Sequence, residues 1–354
     1  VNAHPGASPD RIDQAPVQST REWARLPWIS PESFRRFAIA ELVAVSFIVL
    51  TGAAVRLTGS GLGCPDWPTC YHRKITPQAS IHPAIEFGNR MVTVALTIVV
   101  AAVLLAAWRR RPFRRDLCWL SASLVAGVVA QAVLGGIVVY TKLNPYLVML
   151  HFLLSMVMVG LAVILLHRSR HRYDVAGLPL VPRSILIGSR AAVGLLALVL
   201  AAGTATTGAG PHAGNATGQQ VAKRIPVPLR DLAELHATLA ILLIGLVLGL
   251  VLALHALAVP ERTKRAGRIL CAVLAAQAVV GYAQYFSHLP AWLVEIHILG
   301  ATSLVIGTLQ FVLTLTHHPA ESSPLALAAE HARGGSPEEA LIGNDQREIA
   351  VGGW

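Results

Sequence analysis

The chain has 354 residues, 54% of them hydrophobic and only 14% charged, against about 25% charged in a typical soluble domain. So little charge excludes an ordinary water-soluble enzyme of this length, and apolar runs of whole-helix length, without the alternation of barrel strands, exclude an outer-membrane β-barrel. The formal net charge of +10 does not point to nucleic acid, because the basic residues sit in short clusters between apolar runs, as in RRRPFRR at 109–115.

Residues 1–34 are polar and contain proline; they predict a tail without a cleavable signal, so that the first apolar run serves as an uncleaved insertion signal. Apolar runs then predict spans at 37–56, 84–108, 117–140, 145–167, 186–207, 232–256, 267–286 and 291–316, each helical because lipid offers no partner for an unpaired backbone group. Residues 319–354 form a second polar tail. The loops after the second, fourth and sixth spans carry Arg109, Arg110, Arg111, Arg114 and Arg115, then Arg168, Arg170, Arg172 and Arg183, then Arg262, Lys264, Arg265 and Arg268. The loop after the third span has only Lys142; Lys223, Arg224 and Arg230 in the fifth loop run against the trend without reversing it. The positive-inside rule therefore predicts a multi-pass protein of the cell membrane with both termini cytoplasmic and the odd-numbered loops outside.

An internal repeat organises these spans. Gln131-Ala132-Val133-Leu134-Gly135 is followed by His151 twenty residues after the glutamine, and Gln277-Ala278-Val279-Val280-Gly281 is followed by His297 at the same spacing. Thr58-Gly59-Ser60-Gly61 matches Thr207-Gly208-Ala209-Gly210 in the same way. Equivalent positions lie four helices apart, so the expected fold is an all-α membrane protein of two parallel-related four-helix bundles, 35–170 and 183–318.

In the second half His236 opens one span and His297 another, 61 residues apart, and imidazoles on facing helices can hold a haem iron from both sides. The plainer reading is a pair of histidines that cap helices or sit among headgroups. Counting back 62 residues from His151 reaches Asn89 where a histidine would complete the symmetry. His82, Glu86 and Asn89 share one face if Pro83 starts the helix. Glu86 with Arg90 reads either as a proton-handling or charge-stabilising pair or as a structural i,i+4 ion pair. For Glu41 and Glu295 the structural reading is preferred. Compact zinc-ligand spacing is lacking. Cys64 and Cys70, six apart in a polar outward loop, look like a pair, either a staple or redox-active; Cys118 and Cys271 lie near the starts of apolar spans.

The loop GSGLGCPDWPTC at 59–70, the segment Glu86-Phe87-Gly88-Asn89-Arg90, the repeat and His151, His236 and His297 together resemble the heme A synthase family over about residues 37–316. The resemblance implies a membrane enzyme that oxidises the C8 methyl of haem O to the formyl group of haem A for haem–copper oxidases. It implies haem b held by His236 and His297, substrate haem at His151, Glu86 as the functionally essential glutamate with Arg90 at its usual offset, and Cys64 with Cys70 as the outward cysteine pair. Asn89 departs from the family's Glu-x-x-His-Arg pattern, and His82 is the candidate to supply the missing ligand. The second-half outward loop at 211–217 has no cysteine pair, and His212 reads as a surface histidine. Expected partners are the bilayer, haem O, an external electron acceptor, haem O synthase and oxidase assembly factors, with room for a homo-oligomer and none for nucleic acid. The competing function is a b-type electron-transfer or quinone-reactive cytochrome; a transporter would leave the repeated histidines without a purpose.

Overall fold

The computed structural model describes residues 28–71, 73–173, 177–212, 214 and 222–317; most of both expected tails and of the 211–217 loop lies outside these residues. The described residues form eight long helices: α1 (Pro31–Leu57), α2 (Ile81–Arg109), α3 (Arg115–Tyr140), α4 (Pro145–Ser169), α5 (Arg183–Ala209), α6 (Leu229–His255), α7 (Glu261–Phe286) and α8 (Ala291–Leu313). At about 1.5 Å per residue, each exceeds the roughly 30 Å of a bilayer's hydrocarbon core.

Helix starts follow local chemistry. Ser30 accepts from the Ser33 N–H ahead of Pro31, and Asn144 accepts from the Tyr146 N–H ahead of Pro145. Pro228, Pro260 and Pro290 directly precede α6, α7 and α8. Two starts differ from expectation. α2 begins at Ile81, so Pro83 lies within its first turn instead of opening it. α7 begins six residues before the apolar run, because the charged stretch from Glu261 to Arg268 continues the helix and closes an ion pair of 2.6 Å between those two residues. The last span ends early: α8 stops at Leu313, and β2 (Thr316–His317) pairs antiparallel with β1 (Leu178–Pro179).

Each of α1 to α4 packs on the next and α1 packs on α4, while α5 to α8 close a second circuit in the same way; α4 meets α5 and α8, and α1 meets α8. Phe34, Val100, Leu117 and Leu165 fill the first circuit, and Leu243, Leu254, Leu270 and Phe311 the second. Val43, Phe47, Ile98, Val133, Ile241 and Val279 are exposed on the outside, as suits helices whose solvent is lipid. Hydroxyls on these helices return to their own backbone, as Ser46 does to the Leu42 carbonyl at 2.7 Å and Thr302 to Ile298 at 3.0 Å.

The two ends of the molecule differ. At the arginine-rich end, buried Arg110 donates to the carbonyls of His171 and Arg172, and Arg114 to those of Arg168, His171 and Tyr173. These cations cover the carbonyls at and beyond the C-terminus of α4, where positive charge is favoured. Two arginines of the 109–115 cluster thus have a structural role beside the topological one the sequence suggests. At the other end Gly61 N–H donates to the Gly214 carbonyl at 2.9 Å, and Arg56 donates to the His212 carbonyl at 3.0 Å. His212 is half-buried, and its Nε2–H donates to Leu289 at 2.8 Å; it ties the loops after α1, α5 and α7 together instead of standing on the surface.

Candidate functional site

The loop between α1 and α2 closes over the tops of α2 and α3. Cys64 and Cys70 form a disulfide, both buried. Gly63 is required because a side chain there would collide with the His82 backbone, and Gly136 of α3 is required because the Trp67 ring lies on it. Tyr140 Oη donates to the Trp67 carbonyl at 2.7 Å. Arg90 reaches up from α2 and donates to the carbonyls of Cys64, Asp66 and Thr69 at 3.1, 3.0 and 2.6 Å. Glu86, only 6% exposed, accepts from Arg90 Nη2 at 2.6 Å and from the Cys64 N–H at 2.7 Å. The Glu86–Arg90 ion pair is therefore present, and it serves as the clamp between the disulfide loop and α2.

Below this clamp, Asn89 Oδ1 accepts from Thr51 Oγ1 of α1 at 2.7 Å. An amide so held offers its NH2 group as a donor, which is no substitute for an imidazole lone pair. His82 Nδ1 is 3.0 Å from Ser60 Oγ, about 10 Å along α2 from Asn89 and at the rim of the helix circuit. His151 lies on α4, which stands across the circuit from α2. Its Nδ1 is buried without a partner, Gly135 of α3 leaves room at its Cε1, and Gln131 Nε2 donates to its carbonyl at 3.0 Å.

The second circuit repeats these elements with a complete histidine pair. His236 on α6 and His297 on α8 reach toward each other from opposite helices, with ring centroids 6.2 Å apart and planes at 72°. His236 Nδ1–H donates to the Val199 carbonyl at 3.0 Å, which leaves the lone pair of the neutral ring on Nε2. His297 Nδ1 is buried without a partner, and Gln277 Nε2 donates to the His297 carbonyl at 2.7 Å. Gly203 and Gly281 make room for the two rings, since a side chain at either would press on an imidazole carbon. Two metal–imidazole bonds of about 2 Å, with about 1 Å more from each ring nitrogen to its centre, span about 6 Å, so this pair has the separation needed to ligate one metal atom from two sides. Among the described residues no group of three or more His, Cys, Asp or Glu is arranged to hold a bare metal ion.

The structure thus joins Cys64, Cys70, Glu86 and Arg90 in one unit and His236 with His297 in another, while His82 and Asn89 hydrogen-bond to separate α1-side partners. The partners of Thr51, Ser60, Trp67 and Tyr140 carry no signal in the sequence, because their contacts cross between segments far apart in the chain. The glutamines were visible as repeat markers, and their bonds to the histidine carbonyls explain the spacing of twenty.

Residues 35–309 match the family model COX15-CtaA, described as cytochrome oxidase assembly protein. Similar proteins include the heme A synthase of Geobacillus kaustophilus, 35% identical over 150 residues, covering 41% of this chain and 46% of that protein. Those of Staphylococcus saprophyticus and Lysinibacillus sphaericus are 30% and 33% identical, covering 36% and 34% of this chain and 43% and 40% of theirs. The matched stretches span less than half the length of each of these relatives.

Proposed function

The chain belongs to the COX15-CtaA family of cytochrome oxidase assembly proteins, and on that premise we propose that it is a heme A synthase, oxidising the C8 methyl group of haem O to the formyl group of haem A. Its residues 35–170 and 183–318 act as two parallel-related four-helix bundles, the first for substrate and the second for haem b, with both termini cytoplasmic. The observation that carries this reading is the His236–His297 pair at 6.2 Å, with its ring orientation set by Val199 and its space set by Gly203 and Gly281. Haem b there would supply one-electron transfer between the reacting substrate and an external acceptor.

Haem O is the substrate of the first bundle, with its iron toward His151 and a ring edge toward Glu86. Two successive two-electron oxidations, each adding the oxygen of one water and releasing two protons while the electrons pass to the external acceptor, take the methyl group to an alcohol and then to a hydrate, which loses water to give the aldehyde. Glu86 contributes negative charge at the rim, where a cationic intermediate at the methyl carbon would be stabilised. Arg90 and the Cys64 N–H each bond one of its oxygens, and protonating Glu86 would remove the charge that strengthens both bonds, so proton acceptance would weaken its hold on the disulfide loop. Asn89, in place of a second histidine, leaves His151 as the single imidazole ligand on the substrate side, with His82 held at the rim by Ser60.

Expression in cells that make haem O, followed by haem extraction, chromatography and mass measurement, should yield a hydroxylated or formylated product. Haem b alone, with haem O and an electron acceptor available, would overturn the synthase reading in favour of an electron-transfer cytochrome, which uses the same histidine pair.

A further inference from the structure

At the arginine-rich end, a groove of about 380 Å³ runs between the first turns of α7 and the last turns of α8. Its wall changes character with depth. Arg262, Arg265 and Gln310 line it within about a turn or so of the helix ends, at the level of lipid headgroups, whereas Ile269 and Gly307 line it about one turn further in, about 6 Å beyond Arg265 and about 4.5 Å beyond Gln310, where the hydrocarbon begins. Gly307 keeps the floor low: a Cβ there would meet only Leu270 at 3.5 Å, so the space is real and a larger side chain would occupy it.

The arginine charge in the groove is uncompensated among the described residues. Glu261 also lines it, but its carboxylate accepts from Arg268 at 2.6 Å. Arg262 and Arg265 are exposed and make no ion pair among the described residues. Two free guanidinium groups above an apolar slot that opens sideways into the bilayer match a molecule with an anionic phosphate joined to an acyl chain. A free phosphate would leave the apolar half uncovered, and an acidic peptide has no means of entering at hydrocarbon depth.

We propose that this groove binds one anionic phospholipid of the adjoining leaflet, its phosphate on Arg262 and Arg265 beside Gln310 and one acyl chain over Ala266, Ile269 and Gly307. Gly307 is ten residues along α8 from His297, about 15 Å, so the site stands independently of any haem.

Native mass spectrometry of the full chain in neutral detergent, titrated with phosphatidylglycerol, phosphatidylcholine or inorganic phosphate, tests it. One phosphatidylglycerol should be retained per chain, at least tenfold more tightly than phosphatidylcholine. Arg262→Gln with Arg265→Gln should lower that affinity about tenfold or more, to the phosphatidylcholine level. Gly307→Phe, which fills the slot and leaves the charges alone, should lower it to a similar degree, while Arg115→Gln, an exposed arginine outside the groove, should leave it unchanged. Equal retention of the two lipids, undiminished binding in the double arginine variant, or displacement of phosphatidylglycerol by equimolar inorganic phosphate would each overturn the proposal.

Discussion

Gln277 Nε2 donates to the carbonyl of His297 at 2.7 Å, joining α7 to α8 at the turn that carries the histidine. Gln131 does the same for His151 at 3.0 Å, and there its Nε2 also reaches Ser155 Oγ at 2.6 Å. A helical carbonyl has a second lone pair beyond the one used within the helix, and each glutamine takes it. Gln277 Oε1 lies against Gly300, where any side chain would collide, so the glutamine holds this place only because residue 300 has no side chain. Gln277→Leu should cost about 0.5–1.5 kcal/mol in stability and lower the haem-to-protein ratio of the purified chain. Gly300→Ala should reproduce that loss by displacing the amide, and Gln131→Leu should leave haem b content unchanged. Equal haem b loss from Gln131→Leu and Gln277→Leu would contradict the division into two sites.

The histidines separate by position in the same way. His236→Ala or His297→Ala should abolish the reduced-minus-oxidised spectrum of a bis-histidine haem, because each removes one of the two proposed ligands, whose ring centroids are 6.2 Å apart. His82→Ala should keep that spectrum in full, since its ring sits beside Ser60 in the other half of the chain. His151→Ala should also keep it while abolishing haem A formation.

Much of this architecture is legible in the residues alone, for physical reasons that also explain the gaps. Apolar runs locate all eight helices because lipid forces backbone pairing within each segment, but charged ends such as 261–268 carry no hydropathy signal, so the start of α7 is visible only in the fold. The repeat brings out His151 and His297 because equal spacing survives in the chain. Thr51 lacks such a mark: a hydroxyl on an apolar helix usually bonds its own backbone, and only tertiary contact sends it to Asn89, while Ser60 stands out in the 58–61 repeat but its contact with His82 does not. Arg110 and Arg114 mislead in the opposite direction, since a basic loop cluster reads as topology until the carbonyls of α4 are seen against it.

The clamp under the disulfide loop predicts a split between chemistry and structure. Glu86→Ala should lower haem A formed per haem b by about 100-fold or more, as loss of a proton-handling or charge-stabilising group does, with haem b content unchanged. Arg90→Ala releases Glu86 together with the loop carbonyls of Cys64, Asp66, Pro68 and Thr69, so it should additionally make the 59–74 loop sensitive to limited proteolysis. Loop opening in Glu86→Ala to the same extent, with turnover retained, would assign Glu86 to the clamp alone.

Glu41 presents the opposite situation to Glu86. It is fully buried on α1, on the face shared with Phe34, Ala38 and Val45, and neither carboxyl oxygen has a hydrogen-bond partner among the described residues. It lies ten residues from Thr51, about 15 Å along the helix from the Asn89 contact and toward the arginine-rich end. A carboxyl group in such surroundings costs stability whichever protonation state it holds, because no donor or acceptor replaces the water it has lost. Glu41→Leu keeps the volume roughly constant and removes two unmatched polar atoms, so it should stabilise the chain by about 1–3 kcal/mol, measured as a higher midpoint of unfolding in detergent. Turnover should be unaffected if Glu41 only fills space. A more stable variant with haem b intact and haem A formation lost would instead make Glu41 a proton station within the first bundle, since stability, cofactor content and product would then have separated in one substitution.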